Sequence, residues 1–161
     1  MGENPEEMLA TLSVERAVWR TFLHFFRLVD TLQWERVVGE CFTPDALVEY
    51  HTTPDGATLR AEGHAELEPF FLEGGKPNTQ MLAHVVGQHV IEWRDGKPHL
   101  TAYVTAWHWY NQHASKGEQR PADWTIIGLL DDDYELAGDT WLIARRTVVP
   151  VGGLVATGSL P

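Results

Sequence analysis

The chain is poor in cysteine, in positive charge and in long apolar runs, and each shortage removes a class of function. A single cysteine, Cys41, excludes an intrachain disulfide framework and a thiolate cluster. Twelve basic against 23 acidic residues leave a net charge of −11. Nucleic acid and anionic membranes both need a positive field, so neither is expected as the main partner. No apolar run approaches the ~20 residues that span a bilayer. The opening MGENPEEM lacks the basic and apolar stretches of a secretory signal, so a cytoplasmic protein is expected. No glycine-rich phosphate loop, Gly-x-Ser-x-Gly elbow or cysteine–histidine motif is present. Asp131-Asp132-Asp133 does not read as a metal site. Successive strand residues alternate between faces, and no His-x-His pair or carboxylate ladder accompanies them. They read as a solvated strand end, and chemistry without metal or cofactor is the expectation.

What is present suits one folded domain: 161 residues, 43% hydrophobic, seven of them tryptophan. Residues 1–12 read as a flexible lead-in, 13–150 as a single α+β domain and 151–161 as a tail. Ser13 is the expected N-cap of a first helix, with Val14, Val18, Phe22, Phe25 and Val29 at helical spacing up to Asp30. A short helix over 34–41 follows, then a strand over 46–50, a turn at 54–56 and a helix over 63–75. The rest reads as strands over 80–93, 100–110, 123–136 and 140–149, the first two joined by a turn at 94–97. Helices first and an antiparallel meander afterwards predict an α+β fold whose long sheet curls under the helices.

Within TQMLAHVVGQHVIE (79–92), two histidines stand five apart. An undisturbed strand sends such residues to opposite faces, so one of His84 and His89 is inside. Asp30 ends a helix face that carries Phe26, Leu23 and Trp19. A carboxylate at a helix C-terminus opposes the dipole, so Asp30 either bends back into solvent or serves a site.

The strings VDTLQW (29–34), FTPDALVEY (42–50), AHVVGQHVIE (83–92) and DTWLIARRTV (139–148), in this order, resemble the SnoaL-like branch of the nuclear-transport-factor-2-like superfamily. That resemblance implies a cone: a curved antiparallel sheet wrapped around a deep apolar pocket closed by N-terminal helices. The superfamily includes scytalone dehydratase, bile-acid dehydratases, a dehydrochlorinase, polyketide cyclases, ketosteroid isomerase and non-enzymatic members, so function has to come from the site. In the dehydratases and the dehydrochlorinase, an aspartate four residues before a tryptophan holds a catalytic histidine. Asp30 and Trp34 have that spacing, and the histidine corresponds to His84, which places His84 inside and His89 outside.

The expected chemistry is general-base catalysis. A neutral imidazole held by a carboxylate keeps one tautomer and removes a proton near neutral pH. The resemblance also matches Tyr50 to a pocket tyrosine that polarises a substrate oxygen, the alternative being a buried tyrosine tied to backbone, while Val29 stands where scytalone dehydratase has a second tyrosine. His108, between Trp107 and Trp109, is either a second acid/base or a surface histidine. Arg146 either stabilises a developing oxyanion or, the reading preferred on composition, forms an exposed ion pair. The pocket is expected to be lined by Trp19, Phe22, Leu23, Phe26, Trp34, Phe70, Phe71 and Met81, with some of Trp107, Trp109 and Trp124, a surface suited to an apolar cyclic substrate such as a polyketide or steroid. The leading expectation is a cofactor-independent lyase or isomerase. The alternatives are a polyketide cyclase and a non-catalytic ligand-binding or assembly domain, such as a small-subunit-like partner of a ring-hydroxylating oxygenase. A tryptophan-rich open sheet face predicts a homodimer or higher oligomer.

Overall fold

A computed structural model describes residues 4–51, 58–117 and 119–155. The turn expected at 54–56 and most of the C-terminal tail lie outside these. Helix α1 spans Pro5–Asp30, beginning well before Ser13. The Asn4 side chain accepts a hydrogen bond from the Glu6 N–H at 3.1 Å, Pro5 occupies the first turn, and Glu6 and Glu7 face the positive end of the helix dipole. Residues 5–12, expected as a loose lead-in, are therefore helical. Ser13 sits inside the helix, its hydroxyl donating to the Leu9 carbonyl at 2.8 Å.

After a tight bend in which Leu32 adopts φ 56°, α2 spans Trp34–Cys41 and β1 follows at once as Phe42–His51. Strand β2 is Thr58–Glu62 and α3 is His64–Pro69. The helix expected over 63–75 is split. Pro69 removes an N–H from the ladder, and the chain widens into a π-type turn over Phe70–Gly75 before a 3-10 turn at Lys76–Asn78. The remaining strands are β3 (Thr79–Arg94), β4 (Lys97–Tyr110), β5 (Trp124–Ala137) and β6 (Thr140–Val155). The β3–β4 turn places Asp95 and Gly96 at φ 51° and 77°, the geometry that suits the twist of a hairpin. Strand β6 continues through 151–155, past the boundary expected at 150.

The six strands lie in the order β2-β1-β6-β5-β4-β3. All neighbours are antiparallel except β1 and β6, which run parallel, so the sheet is mixed rather than wholly antiparallel. It curls without closing into a barrel. Register shifts between Val86 and His89 and between Ile127 and Gly128 supply local bends. On the inner face, Val48, Leu100, Ala102, Val104 and Leu130 pack against Val18, Phe22, Phe25, Phe26 and Val29 of α1. The α+β cone expected from sequence is the fold observed.

Candidate active site

The C-terminal end of α1 brings Asp30 against β3. Asp30 Oδ1 lies 2.5 Å from His84 Nδ1, and Asp30 Oδ2 accepts the His84 backbone N–H at 3.1 Å. One carboxylate thus grips a single residue twice. The second bond has a structural reason: β3 is an edge strand, paired with β4 on one side only, and its outward N–H groups need other acceptors. Two hydrogen bonds also offset the unfavourable position of a negative charge at a helix C-terminus. A carboxylate only accepts, so Nδ1 carries the proton and Nε2 keeps its lone pair. The side chains are 12% exposed for His84 and 26% for Asp30, shielded yet reachable. Phe26 covers the imidazole, its ring 4.8 Å from that of His84.

His108 joins them from β4. It faces inward, opposite Leu82 and next to Ala106, the residue paired with His84. The two imidazoles are 6.4 Å apart at 77°. Burial, and next the charge on His84, push the His108 pKa down to about 4, partly opposed by the Trp124 backbone and Asp30. The ring is therefore neutral at neutral pH. It stacks on Trp124 at 4.6 Å, and its buried Nδ1 has no hydrogen-bond partner.

The other candidates scatter. Tyr50 is on β1, four strands from β3, partly buried against Phe70 at 5.6 Å. Burial raises its pKa despite the nearby Arg146 guanidinium, so the phenol keeps its proton. Arg146 is not an exposed ion pair. It is fully buried and bonded to Asp132 through Nε at 2.9 Å and Nη2 at 2.6 Å, and Tyr134 donates to the same carboxylate at 3.2 Å. Four phenyl rings surround the guanidinium, Phe25 closest at 4.2 Å. Burial works against this charge, but Asp132 outweighs it and holds the arginine protonated. Asp132 is correspondingly no part of a solvated strand end. Asp131 and Asp133 turn to the other face and flank buried His99 at 3.2 and 2.6 Å.

The expected lining needs correction. Met81 and Trp107 face outward: Met81 pairs with Trp109 and Ala83 with Trp107, on the face opposite Leu82, His84 and His108. Leu23 is 40% exposed. Trp34 is buried on α2, in contact range of Gly75. Phe70 packs on Phe71 and Tyr50. His89 is exposed, as expected, but it does not lie on the face that alternation predicts. The register shift after Val86 lets Gly87 and Gln88 together oppose Tyr103, so His89 pairs with Ala102 and shares the face of His84, where it stays exposed at the rim and stacks on Trp19 at 3.8 Å. Residues five apart share a face because the strand gains a residue between them. The Gly87-Gln88 pair is the only hint of this in the sequence.

Two of the hollows among the described residues lie away from the aspartate–histidine pair. One, of about 420 Å³, opens on the outer sheet face among Val85, Gly87, Gln88, Tyr103, Thr105 and Ile127. The other, of about 390 Å³, lies beside the first turns of α1. Neither borders Asp30 or His84. Among the described residues no helix is long and apolar enough to cross a membrane, and no three His, Cys, Asp or Glu side chains gather as a metal-ligand set.

Residues 10–147 match the profile of the SnoaL-like domain. Solved structures share the fold at low identity. A protein provisionally named a scytalone dehydratase, from Novosphingobium aromaticivorans, is 19% identical over 91% of this chain and 89% of its own, with a TM-score of 0.73. The hexachlorocyclohexane dehydrochlorinase LinA type 2 is 14% identical over 93% of both chains, with a TM-score of 0.72. A protein provisionally named an aromatic ring hydroxylase, also from N. aromaticivorans, is 18% identical over 89% of this chain and 93% of its own, with a TM-score of 0.71. No curated protein matches the chain significantly.

Proposed function

The chain belongs to the SnoaL-like family, and on that premise we propose that it is a cofactor-independent lyase or isomerase, dehydratase-like, in which His84 is the general base. The observation that carries this reading is the double grip of Asp30 on His84. Asp30 fixes the Nδ1–H tautomer and stabilises the imidazolium that forms when Nε2 takes a proton. In an elimination, Nε2 removes a proton from carbon beside an activating group. The C–H electron pair becomes the C=C bond as the C–O bond breaks, and the departing hydroxide recovers the proton as water. Neutral His108, 6.4 Å from His84 on the same face, is the second group placed beside the departing or polarised oxygen. Tyr50 contributes a protonated phenol from the opposite side of the inner face. The substrate is a small apolar cyclic molecule, polyketide- or steroid-like, received against Phe26 and Trp124.

The test is a screen of polycyclic hydroxyketones by thermal shift and ultraviolet absorbance, followed by the variants His84→Ala and Asp30→Asn. Turnover is expected to fall by roughly 10²–10⁴ in the first, the contribution of a positioned base. Wild-type rates in both variants would discard the reading. A hollow on the outer sheet face, among Val85, Gly87, Tyr103 and Ile127, favours a second reading, a non-catalytic binding or assembly domain. Under it, ligands would raise the melting temperature without any being converted.

The outer sheet face is proposed to bind a second copy of this chain. Met81, Ala83, Val85, Tyr103, Thr105, Trp107, Ile127 and Leu129 form an uncharged field on a molecule of net charge −11. Two such acidic bodies approach best where neither is charged. Light scattering at micromolar concentration should give a multiple of 18.2 kDa, reduced to one chain by Val85→Asp. A monomeric wild type defeats this.

A further inference from the structure

The connection between β4 and β5 is tied by a carboxylate that takes no part in the site described above. Asp123 is 3% exposed. Its Oδ2 accepts the Tyr110 N–H at 2.8 Å and lies 2.8 Å from Arg120 Nη1, while Oδ1 lies 3.0 Å from His113 Nδ1. Its own N–H donates to the His108 carbonyl at 2.9 Å. Through Arg120 the hub reaches β3, since Nη2 donates to Gln80 Oε1 at 3.1 Å, and the Arg120 carbonyl accepts from Trp109 Nε1 at 3.0 Å. Burial opposes the charge on Asp123, but Tyr110, Arg120 and His113 together outweigh it and keep the carboxyl ionised. The backbone is thereby pinned at His108 and Tyr110 on β4, and at the residue that precedes Trp124.

This matters because the two inward histidines are oriented by different means. His84 is aimed by a hydrogen bond to Asp30. His108 has no such bond at Nδ1 and is held by Trp124, through a hydrogen bond to the Trp124 backbone and the indole stacked against the ring. Anything that fixes Trp124 against β4 therefore fixes the His108 ring. We propose that Asp123 is a positioning residue for His108: its carboxylate locks the β4–β5 connection so that Trp124 lies against the imidazole and keeps water from it. The groups facing His108 are His84 from β3, Asp30 from α1, Tyr110 from its own strand and Trp124 from β5.

The inference rests on the proposed reading of the inward face as the reacting site, but its test needs no substrate. Histidine ring carbon–proton NMR spectra are followed against pH in the wild type and in Asp123→Asn, with the His108 signal identified by its loss in His108→Asn. In Asp123→Asn the His108 midpoint should rise by about one unit or more toward the ordinary value of about 6.5 as water reaches the ring. A folded Asp123→Asn protein with an unmoved His108 overturns the proposal. Should that variant fail to fold, Arg120→Met keeps the Asp123 bonds to Tyr110 and His113 and should move His108 the same way by less; no movement again overturns it. Val37→Ala, a core truncation in α2, should lower stability without moving His108, and an equal shift there would reduce the effect to general loosening and defeat the proposal. A clear shift in Asp123→Asn from a protein that converts no substrate would support the clamp while removing the catalytic reading.

Discussion

Two carboxylates on the inner side of the sheet each hold a basic partner, and their surroundings make them opposites. Asp132 and Arg146 are both completely buried, joined by two hydrogen bonds and walled by phenyl rings. Asp30 and His84 are also joined twice, but the pair keeps 26% and 12% of its side-chain surface open. A guanidinium between phenyl rings cannot lose its proton, and no reactant reaches it, whereas the imidazole beside a partly open carboxylate is within a reactant's reach. The sealed pair therefore serves the architecture, tying β5 to β6 beneath α1, and the open pair is the one suited to chemistry.

The sharpest way to break this comparison is to remove one partner from each pair. Asp132→Ala leaves a fully buried guanidinium without its counter-charge and should cost about 3–5 kcal/mol, read from the urea unfolding midpoint. His84→Ala leaves a partly solvated carboxylate and should cost only about 1 kcal/mol. Equal losses in the two variants would erase the distinction between a structural and a chemical pair.

A smaller effect separates His108 from His84 by pH. The folded-state pKa of His108 lies at about 4, below the unfolded value near 6.5, so the unfolded chain binds the proton more readily. The stability this group contributes is fully present above about pH 6.5 and is lost as pH falls toward 4, on the order of 3 kcal/mol in all. His108→Asn should flatten the unfolding free energy between pH 6.5 and 4 by that order relative to wild type. Parallel wild-type and variant profiles would mean that His108 titrates like an exposed histidine.

The legible and illegible parts of the molecule divide along the same physical line. Asp30 and His84 could be read from the sequence because a charge at the wrong end of a helix stands out, and the family strings fix which strand supplies its partner. The order of elements was legible for the same reason that helical and alternating periods are. The face that His89 occupies was not, because a bulge at Gly87 and Gln88 reverses the parity on which strand reading depends. Met81 and Trp107 were assigned by composition to a lining, whereas alternation across the β3–β4 pair sends them outward. The start of α1 was missed although Asn4-Pro5-Glu6-Glu7 carries the cap, the proline and the acids of a helix N-terminus. Arg146 was misjudged because arginine is rarely fully buried. Its partner Asp132 sits in a run of acids that reads as solvated.

The smallest expected effect tests that last point within a single dipeptide. Arg145 and Arg146 are adjacent, and alternation sends them to opposite faces. Arg145 bonds Glu49 at 3.0 Å with its side chain 54% exposed, while Arg146 is sealed under α1. An exposed pair gains little over hydration, so Arg145→Ala should shift the unfolding free energy by no more than about 0.5 kcal/mol, and less at high salt. Arg146→Lys keeps the charge but loses the two-pronged fork and its planar stacking, and should cost several times more. Comparable losses at the two positions would mean that the face a side chain occupies, rather than the residue type, had been wrongly credited with deciding what an arginine contributes here.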